Sequence, residues 1–412
     1  QSLIREMAKV AEVDWVLVNP EPDSESELQA LSQNIHKVPM SSGDHFFLGL
    51  TVEQGGRVGR IPYLDIRRES LLEYDLVQAL NGLSRQSTPK VAIVSPLLPS
   101  SAALAEREGL SFMAELKRAY DVAVVPFFKT EIPVGIDVVI LMGADILHED
   151  MLYSIDQFVM AGGSLIVMID PFSRVKRANN VTNPSPSEEI NDISDLLARY
   201  GIVYEGAAVV GDAQLASIVS DGDQGRLNYP YWMRITASDL SADHATTANL
   251  NEVLLVEPGA FHLEGEARAL VATTDNAGSA LRSDFEELTP RDLSMSFASH
   301  SKKRVLAATV QGPLKSAFGS APDFSTAAAH RSDAVGVPLV FAIADVDWLF
   351  DPFSLQKTSL GQDTVVRPLN DNLAFMLNML EFATGDDQLL AIRSRGQLHR
   401  PFSRVTDLFQ AA

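Results

Sequence analysis

The sequence has no cysteine. That excludes disulfide stapling, a thiol nucleophile and every cysteine-ligated zinc or iron–sulfur site. Positive charge is also scarce: 33 Lys and Arg stand against 54 Asp and Glu, for a formal net charge of −21. A surface of that sign repels phosphate backbones and anionic head groups, so nucleic acid is not an expected partner. No apolar run approaches the roughly 20 residues a spanning helix needs, and the start lacks a signal-peptide pattern, so the chain as it stands is expected to be soluble. Neither GxxxxGKS/T nor GxGxxG occurs, so ATP hydrolysis is not expected of this chain, nor is a cofactor.

What is present is clearest at residues 137–172, DVVILMGADILHEDMLYSIDQFVMAGGSLIVMIDPF. Val138 to Leu141 form a continuous apolar run, as in a strand covered on both faces, and Met142-Gly143 ends it. Met151, Leu152, Ile155, Phe158 and Val159 make one helical stripe, with Glu149 and Asp150 placing negative charge in the first turn. Gly162-Gly163 stops that helix, and residues 165–169 form the next buried strand, closed by Asp170-Pro171. This is a complete βαβ unit. Residues 90–95, a helix carrying Phe112, Met113, Leu116 and Tyr120, and a strand at 122–125 precede it, giving at least four parallel strands.

With 412 residues, two or three domains are expected. Residues 1–86 read as strand 13–18, helix 25–31, a hairpin of 46–52 and 58–63 around Gln54-Gly55-Gly56, and helix 70–80. That order is the back half of a thioredoxin-like domain, with Val38-Pro39 where such domains often carry a cis-proline; a strand and helix would be expected ahead of Gln1. Residues 87–390 form the α/β core with long insertions. In it, 175–188 reads as a mobile loop, 193–200 as a short helix, and 207–210, 253–256, 269–273, 305–310 and 339–343 as strands. The polar segments 213–251 and 275–303 read as long loops of the kind that carry binding surfaces. A helix capped at Asn370-Asp371 runs to Gly385, and a basic tail at 391–412 follows with Arg393, Arg395, Arg400 and Arg404, either a solvated charged tail or a segment near a membrane surface.

IPYLDIRRESLLEYDLVQAL at 61–80, DVVILMG at 137–143, GGSLIVMIDP at 162–171, DLLARYGI at 195–202, ADVDWLFD at 344–351 and RPFSRV at 400–405 together resemble the gliding-motility-associated ABC transporter auxiliary family. The resemblance implies an extracytoplasmic, periplasmic region held by inner-membrane helices that this chain lacks, working beside an ABC permease and ATPase. It also implies a central domain similar to one in intraflagellar transport proteins and distantly like class I glutamine amidotransferases. The expected fold class is therefore α/β: a parallel-sheet flavodoxin/amidotransferase-like core domain preceded by a partial thioredoxin-like domain.

Amidotransferase chemistry needs a nucleophilic cysteine, absent here, and no GxSxG replaces it; no catalytic residue is assigned. In open α/β sheets the ligand crevice lies outside the carboxyl ends of the strands, which marks Ser95, Gly143, Ala144, His148, Asp170 and Phe172 as candidate ligand-binding residues. Asp170 either orients a polar ligand or caps the Pro171 turn, Phe172 offers a ring for a sugar or a partner side chain, and His148 is otherwise an exposed helix-start residue. Asp345, Asp347 and Asp351 crowd one strand end, where they either gather a hard cation or serve turns and caps. The function expected is a non-catalytic auxiliary module that binds substrate or partner subunits; the alternatives are a degenerate hydrolase acting on carbohydrate or peptide, and a protein-binding scaffold.

Overall fold

A computed structural model gives the architecture and describes residues 5, 14–39, 45–64, 72, 75–76, 79–80, 83, 88–98, 111–179, 181, 190–222, 225–323, 329–360 and 363–385. The basic tail lies outside them. The chain divides into two compact units, one containing Gln1–Asp65 and Leu71–Ser84, the other Arg85–Gly385.

In the first unit, the helix α1 (Glu25–Ser32) starts where the Ser24 hydroxyl accepts the Glu27 N–H at 3.2 Å. Two antiparallel pairs follow: β1 (Lys37–Pro39) with β2 (His45–Phe47), and β3 (Leu50–Gln54) with β4 (Arg57–Ile61). The second hairpin turns on Gly55 and Gly56, both at positive φ, as a two-residue hairpin loop requires. The expected hairpin is thus shorter, and residues 45–47 pair with 37–39 instead. Residues 14–18, expected as a strand, have no regular secondary structure and join no sheet, and no cis peptide bond occurs among the described residues, so the one expected before Pro39 is absent. Within the expected helix 70–80, Leu72, Asp75, Leu76, Ala79 and Leu80 are helical.

The second unit opens with β5 (Lys90–Val94), α2 (Ser111–Ala119), β6 (Asp121–Val125), β7 (Val138–Met142), the short β8 (Ile146–His148), α3 (Glu149–Met160) and β9 (Ser164–Met168). The α3 stripe is buried as its spacing predicts, with Met151, Ile155 and Val159 at 0% exposure, and the helix ends before Gly162 at φ +97°. After β9 come α4 (Arg174–Ala178), β10 (Ile190–Asp192), α5 (Ile193–Arg199), β11 (Ile202–Glu205), β12 (Ala208–Asp212), β13 (Ala216–Ser220) and β14 (Arg226–Thr236). Then follow β15 (Glu252–Val256), β16 (Ala260–Leu263), β17 (Arg268–Ala272), β18 (Ala277–Leu281), α6 (Asp284–Glu287), α7 (Pro290–Ser296), β19 (Val305–Gln311) and β20 (Leu339–Ile343). The unit closes with α8 (Asp351–Ser354), β21 (Leu355–Leu360), β22 (Asp363–Pro368) and α9 (Asn372–Ala383).

The central sheet is mixed. Strands β6, β5, β7, β9 and β20 lie side by side in that order and are all parallel; β19, β16 and β11 extend the sheet antiparallel, with β17 also paired to β19. Apolar residues of β5, β7, β9 and β20 are buried on both faces, which is why these strands read as unbroken apolar runs.

Two expected loops are structured. Segment 213–251 contains β13 and β14, and 275–303 contains β18, α6 and α7. Tyr229, Tyr231, Met233 and Ile235 alternate inward along β14, each at most 1% exposed, and the two tyrosines build a second core with Phe172, Val209, Phe285 and Leu293. Pro230 is tolerated because the β13–β14 register shifts between Ala216 and Ser217, leaving it in a bulge where no ladder N–H is needed. Likewise, the segment expected as a mobile loop after Phe172 begins with α4.

Candidate functional site at the carboxyl rim

The parallel strands deliver Ser95, Gly143, Ala144, Asp170 and Phe172 to one rim, as the crevice rule anticipates, but all five are buried. The Ser95 hydroxyl donates to the Met142 carbonyl at 2.7 Å and accepts the Leu97 N–H at 3.1 Å. Gly143 holds φ +64°, and a Cβ there would meet the Lys176 side chain at 2.7 Å. Phe172 belongs to the aromatic core and carries the Arg177 guanidinium 4.4 Å above its ring. His148, half-buried, ends β8 and stands at the start of α3 without making a side-chain cap.

The rim is covered by α4. Its first N–H groups are taken by Asp347, which accepts the Arg174 N–H at 2.6 Å, the Val175 N–H at 3.2 Å and the Ser173 hydroxyl at 2.6 Å. Arg174 grips the carboxylate of Glu257, its Nε donating to Oε2 at 2.8 Å while a second guanidinium nitrogen donates to Oε1. The Tyr229 hydroxyl donates to the same carboxylate at 2.7 Å. Glu257 is fully buried and sits at φ +51°, a costly conformation for a residue with a Cβ that here aims the carboxylate at α4. Lys176 pairs with Asp145 beneath the helix. Thus Asp347, Glu257 and Asp145 fix a five-residue helix that would not hold by itself.

Burial dominates the electrostatics. It pushes Asp170 well above the usual carboxylate range, helped by the neighbouring Asp347 and opposed by Lys176. Asp345 is likewise raised well above that range by burial, then by Asp347 and Asp170. Asp347 is pushed up to about 6 by burial in spite of its three donors. Burial also raises Asp145 against the pull of Lys176, and raises Tyr204, next to Asp170 and Asp145. The arrangement therefore gathers acids where burial disfavours their charge, and pins α4 by ion pairs. Asp170 Oδ2 accepts the Val346 N–H at 3.0 Å, whereas Asp170 Oδ1, Asp145 Oδ1 and the Tyr204 hydroxyl have no partner among the described residues.

The three aspartates considered for a cation are spread over separate duties. Asp345 accepts N–H groups of Val256, Asp347 and Trp348, Asp347 caps α4, and Asp351 accepts both the N–H and the hydroxyl of Ser111 at the start of α2. Among the described residues no group of three or more His, Asp or Glu is arranged to hold a metal ion.

Sequence reasoning missed Asp145, Arg174, Lys176, Tyr204, Tyr229 and Glu257. One signal was available: RVKR at 174–177 is a basic run in an acidic chain, directly after a strand end. Nothing in the sequence marks Glu257.

A model of the family described as ABC-type uncharacterized transport system matches residues 88–379. The chain belongs to that family. The match covers the central sheet, the rim and α4, so the buried network described above lies within the family's own domain of this transport auxiliary. No curated protein matches the sequence. Solved structures with some likeness include the mmIFT52 N-terminal domain, at 11% identity over 71% of this chain and 97% of that one, with a TM-score of 0.39. A cold-adapted β-galactosidase from Rahnella sp. R3 is 14% identical, covers 80% of this chain and 36% of that one, and has a TM-score of 0.32. A ThuA-like protein from Bacteroides uniformis is 8% identical over 73% and 93%, with a TM-score of 0.31. Scores this low carry no argument. Among the described residues no helix of the auxiliary is long and apolar enough to cross a membrane.

Proposed function

We propose that this chain is a non-catalytic, extracytoplasmic region of an ABC-type transport complex of the gliding-motility-associated kind, which binds permease or ATPase-associated subunits, or a carbohydrate or peptide ligand, and performs no covalent chemistry. The observation that carries the reading is the family match over residues 88–379. The rim supports it: Ser95, Ser173, Asp345 and Asp347 each spend their hydrogen bonds on the protein's own backbone and side chains. The parallel strands run in chain order second, first, third, fourth, fifth, which favours a flavodoxin-like core. A thioredoxin-like first unit, a periplasmic location and tethering to the inner membrane complete the proposal.

The test is affinity capture of the tagged full-length protein from mildly solubilised membranes. Recovery of a multi-span permease and an ABC ATPase in constant ratio is expected. Repeated captures without either subunit, or turnover of an ester, amide or glycoside that is abolished by Asp170→Ala, would overturn the reading.

A further inference from the structure

A cavity of roughly 610 Å³ lies wholly within the first unit. It is lined by residues 14–18 and by β3, with Ala30 of α1, Ile35, Leu76 and Leu80. The volume falls in the range of ligand sites, and the lining is largely apolar.

Both stretches offer unused main-chain groups. Strand β3 is one half of a two-stranded sheet, so one of its edges has no ladder partner among the described residues. Among the described residues its side chains bond to the end of α1: Thr51 donates to Gln33 at 3.3 Å, and Gln33 donates to Glu53 at 3.2 Å. Residues 14–18, which line the same cavity, belong to no helix and no sheet. Trp15, Val16, Leu17 and Val18 are 39%, 84%, 62% and 54% exposed, four adjacent apolar side chains of high strand propensity left in solvent. The unpaired edge of β3 is a template for another strand.

Charge indicates which strand fits. Asp14 and Glu53 both line the cavity, and neither has an ion-pair partner among the described residues; the nearby Arg5 guanidinium is committed to the Trp15 ring, 4.9 Å from its centroid. A second copy of residues 14–18 would bring another Asp14 against these carboxylates, in a chain of net charge −21. Like charges facing each other across a strand pair are destabilising. We propose that the cavity is a docking slot for one extended strand of a partner polypeptide, apolar on its inward side and basic opposite Glu53, which pairs through its main chain with the free edge of β3. The recognition mode is strand addition, in which backbone hydrogen bonds give affinity and alternate side chains give specificity. The slot lies outside residues 88–379, so its fate is independent of the transport reading.

The experiment uses the whole chain and a fluorescein-labelled peptide, Lys-Val-Thr-Val-Thr-Val, with two controls: the same peptide N-methylated at alternate bonds, and one led by Glu. Saturable anisotropy is expected for the first, together with slowed amide exchange across Leu50–Gln54. N-methylation should weaken binding about thirtyfold or more, since at least two backbone bonds are lost. Glu53→Lys, at an exposed position, should weaken the Lys-led peptide about threefold and favour the Glu-led one. Any of four results overturns the proposal: no binding; binding indifferent to N-methylation; Leu50–Gln54 amides already protected in the free protein, which assigns the slot to the chain itself; or a concentration-dependent dimer that the peptide dissolves, which assigns it to a second copy.

Discussion

Replacing Asp347 by Asn isolates one of the tensions at the rim. Asp347 is fully buried, accepts three donors, and is pushed up to about 6 from an ordinary value of 3.8. Burial therefore outweighs the hydrogen bonds. A carboxyl whose folded value lies above its unfolded one adds stability that is complete below pH 3.8 and is lost as pH rises through 6. With those two values, its contribution falls by about 1.4 kcal/mol between pH 5 and pH 8. Asn does not titrate, so that slope disappears in the variant. The amide can still accept from Ser173 and Val175 through one oxygen, but its NH2 cannot accept the Arg174 N–H, at a pH-independent cost of about 1–3 kcal/mol. Urea unfolding of wild type and variant at both pH values separates the two effects, because the midpoint reports stability when the slope is unchanged. The variant should be weaker at pH 5 and should recover by about 1.4 kcal/mol relative to wild type at pH 8. A gap that stays constant, or that widens as pH rises, refutes the claim that burial controls this carboxyl.

Two further substitutions probe the same unit. Glu257→Gln leaves Arg174 facing an amide donor; since the Arg174 side chain is 40% exposed, water recovers part of the loss, and about 2 kcal/mol is expected, with faster amide exchange in α4. An unchanged urea midpoint would show that Arg174 does not pin the helix. Asn372→Ala removes a fully buried side chain that accepts the Leu254 N–H at 2.9 Å and donates to the Leu254 and Trp348 carbonyls at 2.9 and 2.6 Å. Leaving these groups unmet should cost about 3 kcal/mol, and a thermal melt showing a loss below about 1 kcal/mol would contradict it.

The parallel half of the sheet was legible because doubly covered strands must be apolar throughout: VVILM, SLIVM and LVFAI admit no polar face. The α3 stripe and its Gly162 stop were legible for the same kind of reason. The subdomain around β14 was not, although Tyr229, Tyr231, Met233 and Ile235 alternate perfectly, because Pro230 interrupts the run and a bulge cannot be foreseen from sequence. The rim was half visible. Strand ends pointed to Ser95, Gly143 and Asp170, but the burial of these residues depends on α4, whose five residues have too little periodicity to announce a helix. Glu257 acts through a left-handed backbone that no local pattern predicts.

ADVDWLFD at 344–351 shows how one pattern supports opposite readings until neighbours are known. Carboxylates at positions 345, 347 and 351 look like ligands in waiting, yet an oxygen that already accepts an N–H group is available to a cation only if that bond is broken. Asp345 reaches β15, Asp347 reaches α4 and Asp351 reaches α2, so the segment after β20 ties three elements to one strand end. Trp348 fills the space between them, fully buried, with its Nε1 donating to Met168 of β9 at 3.2 Å. A ligand that is to touch Asp170 or Gly143 must therefore displace α4, and to displace α4 it must outcompete Asp347, Glu257 and Asp145 together. Recognition by surfaces around the closed rim requires no such cost, which is why Arg177, exposed above Phe172, is a more accessible contact than any of the buried residues beneath it.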